Sequence, residues 1–439
     1  MIIFSHTVTA RLEYISGFIG REIFGQQPLL TNDPGEFNQY EGPRINYSHS
    51  RISSRECRIT PHSLLQETGI GAQPINCFKW GNLPAFFPTT GDIPFDIFAA
   101  SFYLLSRYEE YLPHTKDQYG RYAHTNSLAF REGFLPYPLV NQWLQCFGKK
   151  LEELFRGFHA ETSSFRFYPT YDIDEAFAYR HKTWWRNAGA AVKNLLQLRP
   201  GSFRERIAVR QGRKNDPYDA YSWMDKLHAG FSFRSVYFFL LAEKTGRYDK
   251  NISPFHPAMQ ELISRHAAQY DLGIHPSWQS GDDPSLLQKE IKQLEKSSGK
   301  KISRSRQHYI RFTTPQTFRE LIRAGIDEDF SMGYGSINGF RASVSSPYYW
   351  YDLEKEEKTS LLLHPFCYME ANSFFEQKYS PQEALEEMRH YYRVIKEVNG
   401  QMITIWHNTF LGEVNLFKGW REVYQIFLEE VNSWQNSST

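Results

Sequence analysis

The chain of 439 residues is longer than a typical single domain, so we expect two domains. Its 50 basic and 49 acidic side chains leave a net charge of +1, which argues against binding to nucleic acid through counterion release. Four widely spaced cysteines lack the spacing of a zinc knuckle or a disulfide framework. No segment reaches the ~18 apolar residues of a membrane span, and the first residues lack a signal-peptide pattern. We therefore expect a cytoplasmic protein.

The first 160 residues are rich in Pro, Gly and Asn and show no regular alternation of strands and helices. Their clearest predicted helix is DIPFDIFAASFYLLSRYEEYL, where Phe98, Phe102 and Leu105 recur at helical spacing. A second helix, QWLQCFGKKLEELF, precedes the polar stretch HAETSS. We place a domain boundary at this stretch. Residues 1–160 are expected to form an accessory α+β domain that packs on the rest of the chain.

Predicted strands and helices alternate through residues 161–439. Three helix starts are indicated by a capping side chain followed by proline, at Asp283-Pro284, Thr314-Pro315 and Ser380-Pro381. Glu383 completes a capping box with Ser380. An alternation of this length predicts a (β/α) barrel, whose usual size is ~250 residues.

Several apolar runs of this region end abruptly in residues that can carry chemistry. FRFYPTYDID ends on Asp172 and Asp174, YDLGIHPSWQS contains His275, and MITIWHNTF contains His407. Three further runs end at or near Glu243, His308 and His364. Because ligands bind at the carboxyl ends of parallel strands, polar residues at several strand ends predict one shared pocket.

The residue types in this pocket suggest metal-assisted acid–base chemistry. Asp172 and Asp174 are two apart and can face the same side of a strand, so one can hold a metal while the other accepts a proton. A neutral imidazole at His275 suits a zinc-like ion, and His407 suits a general acid. The alternative interpretation is structural: the aspartates cap a helix, and both histidines are hydrogen-bonded core residues.

The order of TYDID, GIHPSWQS and IWHN resembles the polysaccharide deacetylase superfamily, also called the NodB-homology domain or carbohydrate esterase family four. The resemblance implies a distorted (β/α) barrel that removes acetyl groups from sugars with a divalent metal. By position, it implies that Asp172 is the base, Asp174 and His275 are metal ligands, and His407 is the acid. SRQHYIRF, DFSMGYGSINGFRAS and FDIFAASFYLLSRYEEY resemble an uncharacterised Bacteroidetes-type branch with an extra N-terminal domain, so the resemblance covers essentially the whole chain.

The chain departs from the family pattern at one metal position. Gln279 stands four residues after His275, where the family has its second histidine, and an amide is a poor ligand for a zinc-like ion. His308 can supply the missing nitrogen from another strand. The residues that remain as candidates for binding or orienting the substrate are Ser277, Gln279, Arg306, Arg311, Asp329 and Arg341. Among them, the arginines are candidates for orienting the base, and Asp329 for tuning the last histidine.

The sequence therefore predicts a hydrolase that removes an acetyl group from an amino sugar or a glycan precursor. Its cofactor is expected to be a divalent metal, with zinc as the first candidate, and its partner a carbohydrate substrate. One alternative is a degenerate barrel that binds a glycan or nucleotide sugar without turnover, which the missing histidine favours. Another is a metal-independent amide hydrolase. The retained aspartate pair and His407 favour an enzyme, because a binding module needs neither a base nor an acid.

Overall fold

The computed structural model of the protein describes residues 1–161, 163–182 and 200–436. The first part of the chain contains β1 (Ile2–Phe4), α1 (Ala10–Phe24), β2 (Leu29–Thr31), α2 (Pro34–Gln39), β3 (Arg44–Tyr47), β4 (Cys57–Ile59), β5 (Phe78–Trp80), β6 (Leu83–Ala85), α3 (Ile97–Leu105), α4 (Leu128–Arg131) and α5 (Leu139–Leu154). The second part begins with β7 (Arg166–Ile173), α6 (Pro200–Arg210), α7 (Tyr221–His228), β8 (Val236–Leu240), α8 (Pro257–Gln269), β9 (Asp271–His275), α9 (Pro284–Ser298) and β10 (Arg304–Ser305). It continues with α10 (Gln316–Arg323), β11 (Glu328–Asp329), β12 (Tyr348–Asp352), β13 (Glu357–Leu363), β14 (Tyr368–Met369), α11 (Pro381–Glu397), β15 (Gln401–His407), α12 (Asn408–Leu411) and α13 (Trp420–Asn436).

The first four strands form a parallel sheet in the order β2, β1, β3, β4, and β5 pairs with β6 as a separate antiparallel ribbon. This parallel sheet differs from the expected α+β arrangement, in which helices and antiparallel strands are segregated. Strands of three or four residues are too short to show a period in the sequence, which explains the difference.

The large sheet has nine strands in the order β12, β13, β11, β10, β9, β8, β7, β15, β14. All neighbours in it are parallel except β12 and β13. This confirms the mixed α/β class with a parallel sheet. No strand pair among the described residues joins β12 to β14, so closure into a barrel stays a prediction.

Local sequence signals explain where several helices begin. Ser380 and Glu383 form the predicted capping box before α11, and the Asp283 carboxylate accepts a hydrogen bond from Ser285 N–H at the start of α9. Helix α10 differs from the predicted capped start at Thr314-Pro315, because it begins at Gln316 and Thr314 does not cap it. Within the described residues, no helix is both long and apolar enough to cross a membrane.

The register of the large sheet brings chemically active residues to one edge. Asp172 in β7 lies directly beside His407 in β15. His275 ends β9 and pairs with Leu240, the last residue of β8. Since these strands are parallel, their carboxyl ends meet at the same edge, as the sequence pattern predicts.

Buried charges connect the first 160 residues to the segment between β11 and β12. The Glu110 carboxylate accepts hydrogen bonds from Arg107 Nε at 2.7 Å and from Arg341 Nη2 at 2.7 Å, and all three side chains are almost fully buried. Apolar contacts continue this interface, for example between the rings of Phe102 and Tyr351 at 5.2 Å. The two parts thus share one buried interface, and a domain boundary at residue 160 stays a prediction.

Glu110→Gln should destabilise the protein by about 3–5 kcal/mol, because it leaves buried arginine charge without its carboxylate. Burial by itself raises the pKa of Glu110, but Arg341 and Arg107 lower it to about 2 from its usual 4.5. The difference in the free energy of unfolding between wild type and variant should therefore have its full value above pH 4.5 and decrease as the pH falls towards 2. Urea denaturation at several pH values measures it.

The matched control is Glu153→Gln, because the Glu153 side chain is 70% exposed and pairs only with exposed Lys150 in the described part of the chain. Its stability should change by no more than about 0.5 kcal/mol. A Glu110→Gln variant as stable as this control would contradict the structural role of the buried network.

Candidate metal centre and active site

A pocket of about 450 Å³ opens at the carboxyl edge of the large sheet. Five predicted site residues line it: Asp172, Asp174, His275, His308 and His407. They come from β7, β9, the segment after β10, and β15, so strand order brings together residues that are far apart in the sequence. His308 begins the short 3₁₀ turn His308–Ile310, which sequence periodicity does not predict as an element.

Asp174, His275 and His308 form a group with the spacing of a metal site. The Asp174 carboxylate lies 3.1 Å from His275 Nε2 and 3.4 Å from His308 Nε2. The possible ligand atoms of these residues all lie within 4.8 Å of one another. One carboxylate and two imidazoles leave the open position that a catalytic zinc site needs.

Hydrogen bonds on the far side of each imidazole support this interpretation. His275 Nδ1 donates to the Arg306 carbonyl at 2.6 Å, so in the neutral imidazole Nε2 carries the lone pair and faces Asp174. His308 Nδ1 lies 3.2 Å from a carboxylate oxygen of Asp249. Carboxylates and carbonyls commonly orient metal-binding histidines in this way.

The donor set fits a divalent cation. A lone pair of His275 and the Oδ1 atom of Asp174 face each other at 3.1 Å, and two acceptors at this distance need a proton or a cation between them. Oδ1 is buried and accepts no hydrogen bond from the described residues. The residues therefore present an unsatisfied oxygen and an imidazole nitrogen to one point.

Charge in the pocket shifts the proton affinity of these groups. Burial by itself would raise the pKa of Asp174, but His308 and His407 hold it well below its usual value. Burial lowers the pKa of His308, yet Asp174 and Asp249 outweigh burial and raise it to about 9. His308 must therefore lose a proton before it can bind a metal at neutral pH.

Asp172 is held by a buried arginine. Arg306 Nη1 donates to Asp172 Oδ1 at 2.9 Å, and Arg306 Nε donates to the Phe330 carbonyl. The guanidinium also lies 4.4 Å from the centre of the Phe238 ring. The other carboxylate oxygen, Oδ2, lies 3.8 Å from His275 Nε2. Asp172 thus keeps one oxygen oriented towards the group formed by Asp174, His275 and His308, called the metal group below.

His407 is held by a carboxylate that the sequence analysis does not identify. Glu370 Oε1 accepts hydrogen bonds from the His407 backbone N–H at 2.7 Å and from Nδ1 at 2.6 Å. His407 Nε2 then lies 3.5 Å from Asp174 Oδ2. Burial lowers the pKa of His407, but Glu370 and Asp174 raise it to about 10, so the metal-free imidazole is protonated at neutral pH.

The expected tuning acid and two of the arginine candidates lie in other surroundings. Asp329 accepts hydrogen bonds from Ser305 and Ser331, and Glu370 occupies the position beside His407 instead. Arg311 pairs with Asp282 and lies over the ring of Trp278. Arg341 binds Glu110 in the first part of the chain. Of the three arginines, Arg306 is the one that contacts Asp172 in the described structure.

Gln279 and Ser277 line a second cavity of about 350 Å³ rather than the metal pocket. The backbone N–H of Ser277 donates to buried Glu290. The amide of Gln279 donates to Asp249 Oδ2 at 3.1 Å, and Asp249 in turn contacts His308. Gln279 therefore supports the carboxylate that lies behind the His308 imidazole.

The sequence analysis does not identify two carboxylates that contact pocket imidazoles, Glu370 and Asp249, and the reasons differ. Glu370 directly follows β14, so the same signal of a polar residue after an apolar run, FCYME, could have identified it. Asp249 lies in the polar loop segment KTGRYDKN between β8 and α8, where no periodic pattern marks it.

Comparisons with known proteins identify little of the chain. Residues 1–156 match a family described as being of unknown function, DUF7033. No curated protein sequence matches the chain. A solved structure from Mycobacterium smegmatis, described as a "putative polysaccharide deacetylase", is 15% identical, covers 61% of this chain and 85% of its own, and has a TM-score of 0.38. Likeness at this level assigns neither the fold nor the activity.

Asp249→Asn should weaken zinc binding about 10–100-fold, because it removes the charge that orients His308. Titration of the metal-free protein with Zn²⁺ in the presence of a competing chelator measures the change. Asp282→Asn is the matched control, since Asp282 is exposed and pairs with Arg311 outside the pocket. Equal affinities in the two variants would argue against a metal site that includes His308.

Proposed function

We propose that this protein is a metal-dependent hydrolase that removes an acetyl group from an amino sugar or a related glycan precursor. One observation carries the proposal: a group with metal-ligand spacing, Asp174, His275 and His308, shares a pocket with Asp172 and His407. Amide hydrolysis needs a group that accepts a proton from water and a group that protonates the leaving nitrogen. The pocket holds a candidate for each.

Asp174, His275 and His308 would hold the metal. When bound, a divalent ion lowers the pKa of a water molecule and polarises the acetyl carbonyl. The hydrogen bonds from the far nitrogens of both histidines keep their Nε2 atoms directed into the pocket. These contacts orient the two imidazole rings in the metal-free protein.

Asp172 would act as the base. Arg306 neutralises part of the carboxylate charge and fixes its orientation through Oδ1. Oδ2, which lies 3.8 Å from His275 Nε2, is then in position to accept a proton from water beside the metal group.

His407 would act as the acid. Glu370 accepts the Nδ1 proton, so the proton on Nε2 is the one directed into the pocket. In the metal-free protein burial lowers the pKa of His407, but Glu370 and Asp174 raise it to about 10. The Glu370 carboxylate would continue to favour the protonated imidazole after Asp174 has bound a cation. Before the proton is transferred to the leaving nitrogen, Glu370 would stabilise the imidazolium, as a carboxylate does in histidine-dependent hydrolases, and the imidazole would be neutral after the transfer.

The acetylated sugar is the substrate that fits the available observations. A volume of about 450 Å³ lies within the range of small-molecule sites and can hold an acetamido sugar. The resemblance of TYDID, GIHPSWQS and IWHN to polysaccharide deacetylases supports the same choice. The presence of both a base and an acid favours turnover over a pocket that only binds a glycan.

His407→Ala and Asp172→Asn should each lower the rate of acetate release about 10²–10⁴-fold, because each removes a proton carrier. The assay measures acetate released from N-acetylated chitooligosaccharides by the Zn²⁺-loaded protein. Metal content should stay unchanged in both variants. His390→Ala is the matched control, since His390 contacts Pro136 and Tyr137 outside the pocket.

The same assay decides between the proposal and its alternatives. Full activity in His407→Ala would remove the acid role. Wild-type protein that binds zinc and the oligosaccharide but releases no acetate would favour a binding module. Equal acetate release from metal-free and metal-loaded protein would favour an amide hydrolase that works without metal.

A further inference from the structure

A loop from the first part of the chain reaches the metal pocket. The loop Asp117–Arg121 contributes Tyr119 and Arg121 to the pocket lining. It belongs to the segment that matches a family of unknown function, and the chemistry described above uses neither side chain.

The loop is held in one conformation by its own hydrogen bonds. Asp117 Oδ1 accepts hydrogen bonds from the backbone N–H groups of Tyr119 at 2.9 Å and Arg121 at 3.0 Å, and Oδ2 accepts from Arg121 Nε at 2.6 Å. Gly120 adopts a positive φ of 76°, which a residue with a side chain rarely adopts. The backbone position of Tyr119 is therefore set by the loop itself.

The loop is also attached to the segment that carries His308. Arg121 Nη1 donates to the Tyr309 carbonyl at 2.6 Å, and the Arg121 side chain is buried. Tyr309 has a φ of 58°, and this left-handed turn orients its carbonyl towards the guanidinium. Gly335 allows the approach, because a Cβ atom there would lie 2.0 Å from Arg121 Nη1.

An aromatic surface runs from the metal group to this loop. The ring of Tyr309 lies 4.6 Å from the ring of His308, and Tyr119 lies 5.3 Å from Tyr309. Tyr248 and Trp278 are stacked at 3.9 Å and complete the surface beside Tyr119. All four aromatic side chains are only partly buried, so each keeps accessible ring area.

We propose that Tyr119 binds the substrate, by packing against a second sugar ring next to the acetylated ring at the metal group. This rests on the proposed function, and it makes the substrate an acetylated oligosaccharide rather than a free monosaccharide. Sugar rings have apolar faces and polar edges, and tyrosine offers a flat apolar face with a polar hydroxyl. The Tyr309 ring lies between His308 and Tyr119, and all three line the pocket. An oligosaccharide with one ring at the metal group would therefore place its next ring against Tyr119.

The test compares binding of tri-N-acetylchitotriose and N-acetylglucosamine to the full-length, metal-free protein by calorimetry. Tyr119→Ala should weaken binding of the trisaccharide about tenfold, or about 1.4 kcal/mol, and leave monosaccharide binding unchanged. Tyr119→Phe should retain trisaccharide binding. Tyr119→Leu fills space without a flat ring, and it replaces Tyr119→Ala if that variant folds poorly. It should show the same tenfold loss of trisaccharide binding.

Tyr137→Ala is the matched control, because Tyr137 lies in the same part of the chain, is 40% exposed and contacts His390 outside the pocket. It should bind both sugars as wild type does. Equal losses for both sugars in the Tyr119 variants, no loss for either sugar, or wild-type protein that binds no trisaccharide would overturn the proposal.

Acetate release separates this proposal from the proposed function. A Zn²⁺-loaded wild type that releases no acetate, together with a Tyr119→Ala variant that loses only trisaccharide binding, would support the subsite and reject the hydrolase. A wild type that releases acetate from both sugars, with the same kcat/KM for the trisaccharide in Tyr119→Ala, would support the hydrolase and reject the subsite.

Discussion

Asp174 provides the constraint on which the rest of the site depends. Three imidazole nitrogens, from His275, His308 and His407, lie 3.1–3.5 Å from its carboxylate. The Asp174 carboxylate is partly removed from water, and the imidazoles can offset the lost hydration with positive charge, either as bound protons or by holding a cation. The ends of β9 and β15 and the turn after β10, which carry the three histidines, therefore meet at this carboxylate.

Each side chain that faces Asp174 has a partner behind it. The Arg306 carbonyl orients His275, Asp249 orients His308, and Glu370 orients His407. Such partners fix the tautomer of each imidazole and leave Nε2 available in the pocket. They also explain why the pKa values of His308 and His407 rise despite burial, since each of these imidazoles lies between two carboxylates.

The first part of the chain supports this site from outside the large sheet. Its buried Glu110 binds Arg341, and Arg121 binds the carbonyl of Tyr309, next to His308. Arg121 lies in a loop without a periodic sequence pattern, and Glu110 lies at the end of a predicted helix whose pattern does not reveal a buried partner on Arg341. The hydrogen bonds and ion pairs across the interface give the two regions a definite relative position, because separating a buried charge from its partner costs free energy.

The sequence by itself determined the α/β class of the second region and the five chemically active residues of the pocket, Asp172, Asp174, His275, His308 and His407. Apolar strands that end in Asp172, Asp174, His275 and His407 are visible as local patterns, and parallel strands necessarily bring such ends to one edge. Only the tertiary structure decided which residues stand behind them, Asp249, Arg306 and Glu370, and which candidates, such as Arg341 and Asp329, have other partners. A strand pattern specifies where a side chain lies along its own strand, whereas its partners depend on which distant segments fold against it.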